Sequence, residues 1–152
     1  MKKMAKLLFI AILGLLFFGL AYAQFAKPEA AIEYRQSVMT IMGHHMGQMG
    51  AVVKGKKPYE KKVFSRNAAI VEMLSTLPWQ AFMTPGSDKG KTALKPVAFK
   101  EKGEFMAKAK TLETETRKLA KAAAGGDFNA VKAQFGEVGK SCGSCHKVYR
   151  AR

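Results

Sequence analysis

The chain has 152 residues, the length of one ordinary domain, and 48% of them are hydrophobic, enough to build a core. It contains no low-complexity stretch and no internal repeat, which excludes a disordered or solenoid protein. A formal charge of +15 points to anionic partners: an acidic protein, a membrane surface or nucleic acid.

Residues 1–23 read as an export signal. Lys2, Lys3 and Lys6 precede an apolar run from Leu7 to Leu20, and Ala21-Tyr22-Ala23 supplies the small residues of a cleavage site. The run is short for a membrane span, which needs roughly 20 residues. Cleavage after Ala23 leaves a mature chain of 24–152, and the loss of three lysines and no acids lowers the charge to +12. Export places the protein in the periplasm and argues against nucleic acid as a partner.

The mature chain is helical in pattern, with no strand-type alternation. A first helix is expected over Ala26–Val53, with Pro28 near its start and Gly55 after its end. Its stripe is Ile32, Met39, Met42, Met46, Met49 and Val53, with Arg35 on the same face. A second runs from Pro58 to Leu77, with Val63, Ile70, Leu74 and Leu77 inward, and Pro78 stops it. A loop follows from Trp79 to Pro96. The third helix covers Val97–Ala124, with Phe105, Ala109, Leu112, Thr116, Leu119 and Ala123 on one face. The fourth starts at Asp127, a good N-cap, and runs to the C-terminus. Phe128, Val131, Phe135, Val138, Cys142, Cys145 and Tyr149 share its buried face. Together these elements predict an all-α, antiparallel four-helix bundle.

The only two cysteines lie in Cys142-Gly143-Ser144-Cys145-His146, the attachment pattern of a c-type haem. Each thiol adds to one vinyl group, and residues three apart on a helix reach both. The adjacent histidine then turns its imidazole to the iron. A redox dithiol accounts for the pattern less well, because it belongs to mixed sheet folds. A zinc site needs four ligands, and only His44 and His45 remain to complete it. A disulfide leaves the histidine unexplained. One covalent haem c, bonded through Cys142 and Cys145 with His146 as axial ligand, is therefore expected at the end of the last helix. No nucleophile–base pair or carboxylate pair suggests an enzyme.

This arrangement resembles the cytochrome c′ family. Tyr34-Arg35-Gln36, Val53-Lys54-Gly55 with Pro58-Tyr59, Leu77-Pro78-Trp79-Gln80-Ala81-Phe82, and Cys142 to His146 followed by Tyr149-Arg150 carry the likeness in order. The resemblance implies haem contacts for Arg35, Gln36, Trp79, Phe82 and Arg150, and a possible homodimer through the first two helices. Typical members place leucine or phenylalanine where this chain has Met39, which looks like the low-spin branch. That likeness implies Met39 as the second axial ligand and electron transfer between redox proteins as the function, and the chain's basic charge suits acidic redox partners. The alternative is a five-coordinate iron that binds nitric oxide or carbon monoxide. Lys54, Lys56, Lys57, Lys61 and Lys62 form a basic cluster that could steer an acidic redox partner.

Overall fold

The computed structural model describes residues 24–151, so the expected signal segment lies outside the described residues. Four long helices and two single turns make up the fold: α1 (Pro28–Val53), α2 (Lys61–Leu74), α3 (Trp79–Phe82), α4 (Val97–Lys100), α5 (Lys102–Gly125) and α6 (Phe128–Tyr149). The long helices run up, down, up, down. Among the described residues the only β-pairing is an isolated bridge between Leu94 and Arg150. No helix of the described residues is long and apolar enough to cross a membrane.

Local chemistry sets most of the ends. Pro28 occupies the first position of α1, where its missing N–H is no loss. Asp127 caps α6 by accepting from the backbone N–H groups of Asn129 and Ala130. Gly126 ends α5 with φ of 90°, a conformation that a side chain would strain, and its N–H bonds to the Ala122 carbonyl.

The third and fourth stripes pack much as the periodicity implies. All six stripe residues of α5, from Phe105 to Ala123, are buried. In α6 Val131, Val138 and Tyr149 are buried, while Cys142 and Cys145 are half-buried because they border a cavity. In α1 the structure buries Ile32, Met42 and Met49 and adds Ala31 and Val38. Met39, Met46 and Val53 are half-buried.

The second helix corrects the sequence reading. Val63 and Leu77 are 49% and 41% exposed, and the buried face is Phe64, Asn67, Ala68, Val71 and Leu74. Leu74 is buried as expected and Ile70 half-buried against the core, while the rest of the inward face is shifted by about one residue, or 100°. Asn67 disguises it, being a polar residue inside the bundle. It is satisfied there: its Nδ2 donates to the Val63 carbonyl, and its Oδ1 accepts from Nδ1 of His45 on α1 at 2.6 Å. The helix also ends at Leu74, ahead of Pro78, and the supposed loop begins with the helical turn α3. The expected third helix is broken at Glu101 into α4 and α5, and α6 stops at Tyr149.

Packing around the bundle is uneven. α5 lies closely against both α2 and α6, and α1 against α2, whereas α1 and α6 scarcely touch. That loose seam, at the end of the bundle holding Arg35 and Tyr149, is where the site opens.

Candidate haem site

A cavity of about 740 Å³ separates α1 from α6. Cys142, Cys145 and His146 form one wall, and Met39, Met42 and Met46 of α1 face them. Phe105 and Leu112 of α5 form the floor, and Thr92 to Leu94 of the loop border the mouth.

The cavity's end wall is aromatic. Trp79 lies 5.9 Å from Phe82 and 6.2 Å from Phe105, and Phe105 lies 5.1 Å from Tyr149 (ring centroids). Tyr149 donates its hydroxyl to Glu101 Oε2 at 3.1 Å. Burial first, then that hydrogen bond and the nearby carboxylates, push its pKa up to about 12.

Burial shifts the titration of all three attachment residues. Burial pushes both cysteine thiols above their ordinary range; for Cys145 the charge of Lys108 opposes the shift, and Cys142 adds to it. Burial, with help from the positive Arg150, lowers the pKa of His146. The imidazole is therefore neutral at neutral pH and keeps the lone pair that a metal ligand needs.

Arg35 and Gln36 border the cavity, yet their hydrogen bonds go to the loop. Arg35 is 2% exposed. Its Nη1 donates to the Ala81 carbonyl at 3.0 Å and to Ser87 Oγ at 2.8 Å. Its Nη2 donates to the Ser87 carbonyl and to Thr92 Oγ1. Burial lowers its pKa, and Asp88 opposes that shift. Gln36 Nε2 donates to the Lys91 carbonyl at 2.9 Å. On the far side the loop is stitched to the end of α6, Lys95 N–H to the Tyr149 carbonyl and Ala151 N–H to the Ala93 carbonyl. Arg150 borders the cavity and pairs with Leu94 across the bridge.

His44 and His45 do not border this cavity. His44 bonds Gln48, and among the described residues no three or more His, Cys, Asp or Glu side chains gather as a metal site. Sequence reasoning missed Lys108, which reaches the cavity wall from α5. Its signal was its register, three residues after Phe105 and four before Leu112.

These residues fit a covalent haem. The cavity falls in the size range of cofactor sites. Both thiols and the imidazole stand on one wall, and the rest is largely apolar. The buried Trp79 Nε1 has no hydrogen-bond partner among the described residues, so it is a donor available to an acceptor on a bound group.

The family model described as Cytochrome C′ matches residues 30–150, nearly all of the described chain. The chain belongs to the cytochrome c′ family. It is 41% identical over 129 residues to cytochrome c′ of Alcaligenes xylosoxydans xylosoxydans, covering 85% of this chain and 99% of that one. Cytochrome c prime from Shewanella frigidimarina superposes with a TM-score of 0.82 at 40% identity, covering 85% of this chain and all of the other. A nitric oxide complex of a leucine-to-alanine variant of the Alcaligenes xylosoxidans protein gives 0.79 at 40% identity over 85% and 99% of the two chains. A leucine-to-glycine variant of that protein was solved with carbon monoxide bound. As in that family, the cofactor is one covalently bound haem c, and Cys142 and Cys145 fit its attachment motif.

The same relatives correct the functional expectation. A low-spin electron carrier with Met39 as second axial ligand is overturned, because the relatives are cytochromes c′ and variants of the Alcaligenes xylosoxidans protein bind nitric oxide and carbon monoxide. The resemblance to the low-spin branch singled out Met39, and its helical register could not correct that choice. A methionine on the cavity wall carries the same helical register whether it packs or ligates.

Proposed function

We propose that this cytochrome c′ binds nitric oxide or carbon monoxide on the face of the haem turned toward Met39, with His146 the sole protein ligand. The observation that carries the reading is the wall opposite His146, where the apolar side chains of Met39, Met42 and Met46 line the cavity. Such a wall admits small neutral molecules and disfavours ions, which would lose hydration without replacement. The nitric oxide and carbon monoxide complexes of a relative at 40% identity support it.

When bound, the haem supplies the iron at which a diatomic coordinates. The chain's residues do the rest. His146, kept neutral by burial, supplies the proximal lone pair, and Arg150 stands beside it. Thioethers at Cys142 and Cys145 would fix the ring to α6. Trp79 and Phe82, stacked on each other at the cavity's end, would meet its edge, with the Trp79 N–H offered to an acceptor there. Arg35 and Gln36 act through the loop, holding Thr92 to Leu94 over the mouth. The protein belongs in the periplasm, with the mature chain beginning at Gln24. Ile41 on α1 and Met73 on α2, 47% and 60% exposed, favour a homodimer through those helices. Sedimentation equilibrium at micromolar protein reads the dimer directly.

The test of function is the absorption spectrum of oxidised and reduced protein with a carbon monoxide titration. The expected result is high-spin iron in both states and one carbon monoxide per reduced haem. A sulfur–iron charge-transfer band in oxidised protein, lost in Met39→Ala, would overturn the reading.

A further inference from the structure

The antiparallel fold brings two distant turns together at the end of the bundle away from the cavity. One joins α1 to α2 and exposes Lys54, Lys56, Lys57 and Lys62; the other joins α5 to α6, flanked by the exposed Lys121 and Lys132. Lys61 links the turns, its Nζ 3.5 Å from the Gly125 carbonyl. Two carboxylates lie here, Glu60 and Asp127, and Asp127 is engaged in capping α6. Among the described residues the ion pairs lie elsewhere, on Glu72, Glu113, Glu115 and Glu137.

This end lies away from the attachment residues. From Phe128 to Cys142 is 14 residues of helix, or about 21 Å. The basic cluster read from the sequence as steering an acidic redox partner therefore sits at the opposite end of the bundle from Cys142, Cys145 and His146.

We propose that this lysine-rich end docks the protein on an anionic lipid bilayer, leaving the haem cavity pointing away from the membrane. A bilayer suits it better than a folded protein does. Specific protein interfaces rest on aromatic anchors, whereas the aromatic side chains at this end turn inward, Tyr59 stacking on Phe128 at 4.6 Å and meeting Phe64 at 5.6 Å. Beside the exposed Val63, what remains outside is largely charge on flexible stems, which matches a fluid layer of anionic headgroups. The inference is independent of which ligand the iron takes.

The test is partition of the purified holoprotein onto vesicles. Vesicles containing phosphatidylglycerol should bind it, pure phosphatidylcholine should not, and 0.5 M salt should release it, a concentration at which Debye screening is reduced to about 4 Å. At about fivefold per lysine, the triple variant Lys56→Gln/Lys57→Gln/Lys62→Gln should lose about a hundredfold in partition. Its haem spectrum and carbon monoxide binding should stay unchanged. The control triple Lys89→Gln/Lys91→Gln/Lys100→Gln removes equal charge from the cavity end and should bind like wild type. Absence of vesicle binding, equal losses in both triples, or capture by an acidic protein but not by vesicles would each overturn the proposal.

Discussion

Arg35 and Ser87, 52 positions apart, are joined twice: one guanidinium nitrogen donates to the Ser87 hydroxyl at 2.8 Å and the other to its carbonyl. This clamp fixes the loop between α3 and α4 onto α1, and the loop in turn borders the haem cavity. The guanidinium also lies 4.9 Å from the Phe82 ring centroid, so the charge is held between backbone acceptors and an aromatic face.

Replacing Arg35 by Met strands the buried Ser87 carbonyl and leaves the Ala81 carbonyl with the Ser87 hydroxyl as its side-chain donor. The expected loss of stability is about 3–5 kcal/mol, since hydrogen bonds to a charged group are each worth about 1.5–3 kcal/mol and stranded acceptors add desolvation. Arg35→Lys, with three donors on one nitrogen, should recover part of it. Urea denaturation followed by circular dichroism checks both; a loss below about 1 kcal/mol would mean that the α6 contacts hold the loop unaided.

Tyr149 makes stability depend on alkaline pH. Its folded pKa of about 12 lies above the ordinary phenol value of about 10. Between these values the folded protein holds a proton that the unfolded chain has released, so stability falls as pH rises. The contribution is complete below pH 10 and lost through pH 12. In Tyr149→Phe the slope across that window should flatten, as read from denaturation midpoints at stepped pH.

Met39 limits the room for a ligand if it forms the distal wall. Met39→Ala should strengthen carbon monoxide binding about tenfold, the scale of removing a few methylenes from an apolar pocket. Met39→Leu, nearly equal in volume, should stay close to wild type. Stopped-flow mixing with the reduced protein measures this, and an unchanged rate in Met39→Ala would place the side chain away from the bound gas.

Lys108 puts a positive charge on the cavity wall near Cys145. A nearby cation favours the reduced iron, which carries one positive charge fewer. Lys108→Gln should therefore lower the haem midpoint potential, and Lys108→Arg should restore it. Spectroelectrochemical titration distinguishes this from a packing effect, which Arg would not rescue.

The sequence by itself determined what depends on neighbours along the chain. Cys142, Cys145 and His146 are bound to one side of a helix by a spacing of three and one, whatever packs against them. The six-residue stripe of α5 and the Asp127 cap are local in the same sense. They followed from 3.6-residue periodicity and one side chain reaching its own backbone. Only the tertiary structure decided the rest. The inward face of α2 turns on Asn67, whose partner His45 lies 22 positions away on another helix. The seam between α1 and α6, the clamp from Arg35 to the loop, and the gathering of two lysine-rich turns at the far end all arise between distant segments. Periodicity reports which residues share a face. What that face meets, a neighbouring helix, a haem cavity or a membrane, is set by the packing of the four helices together.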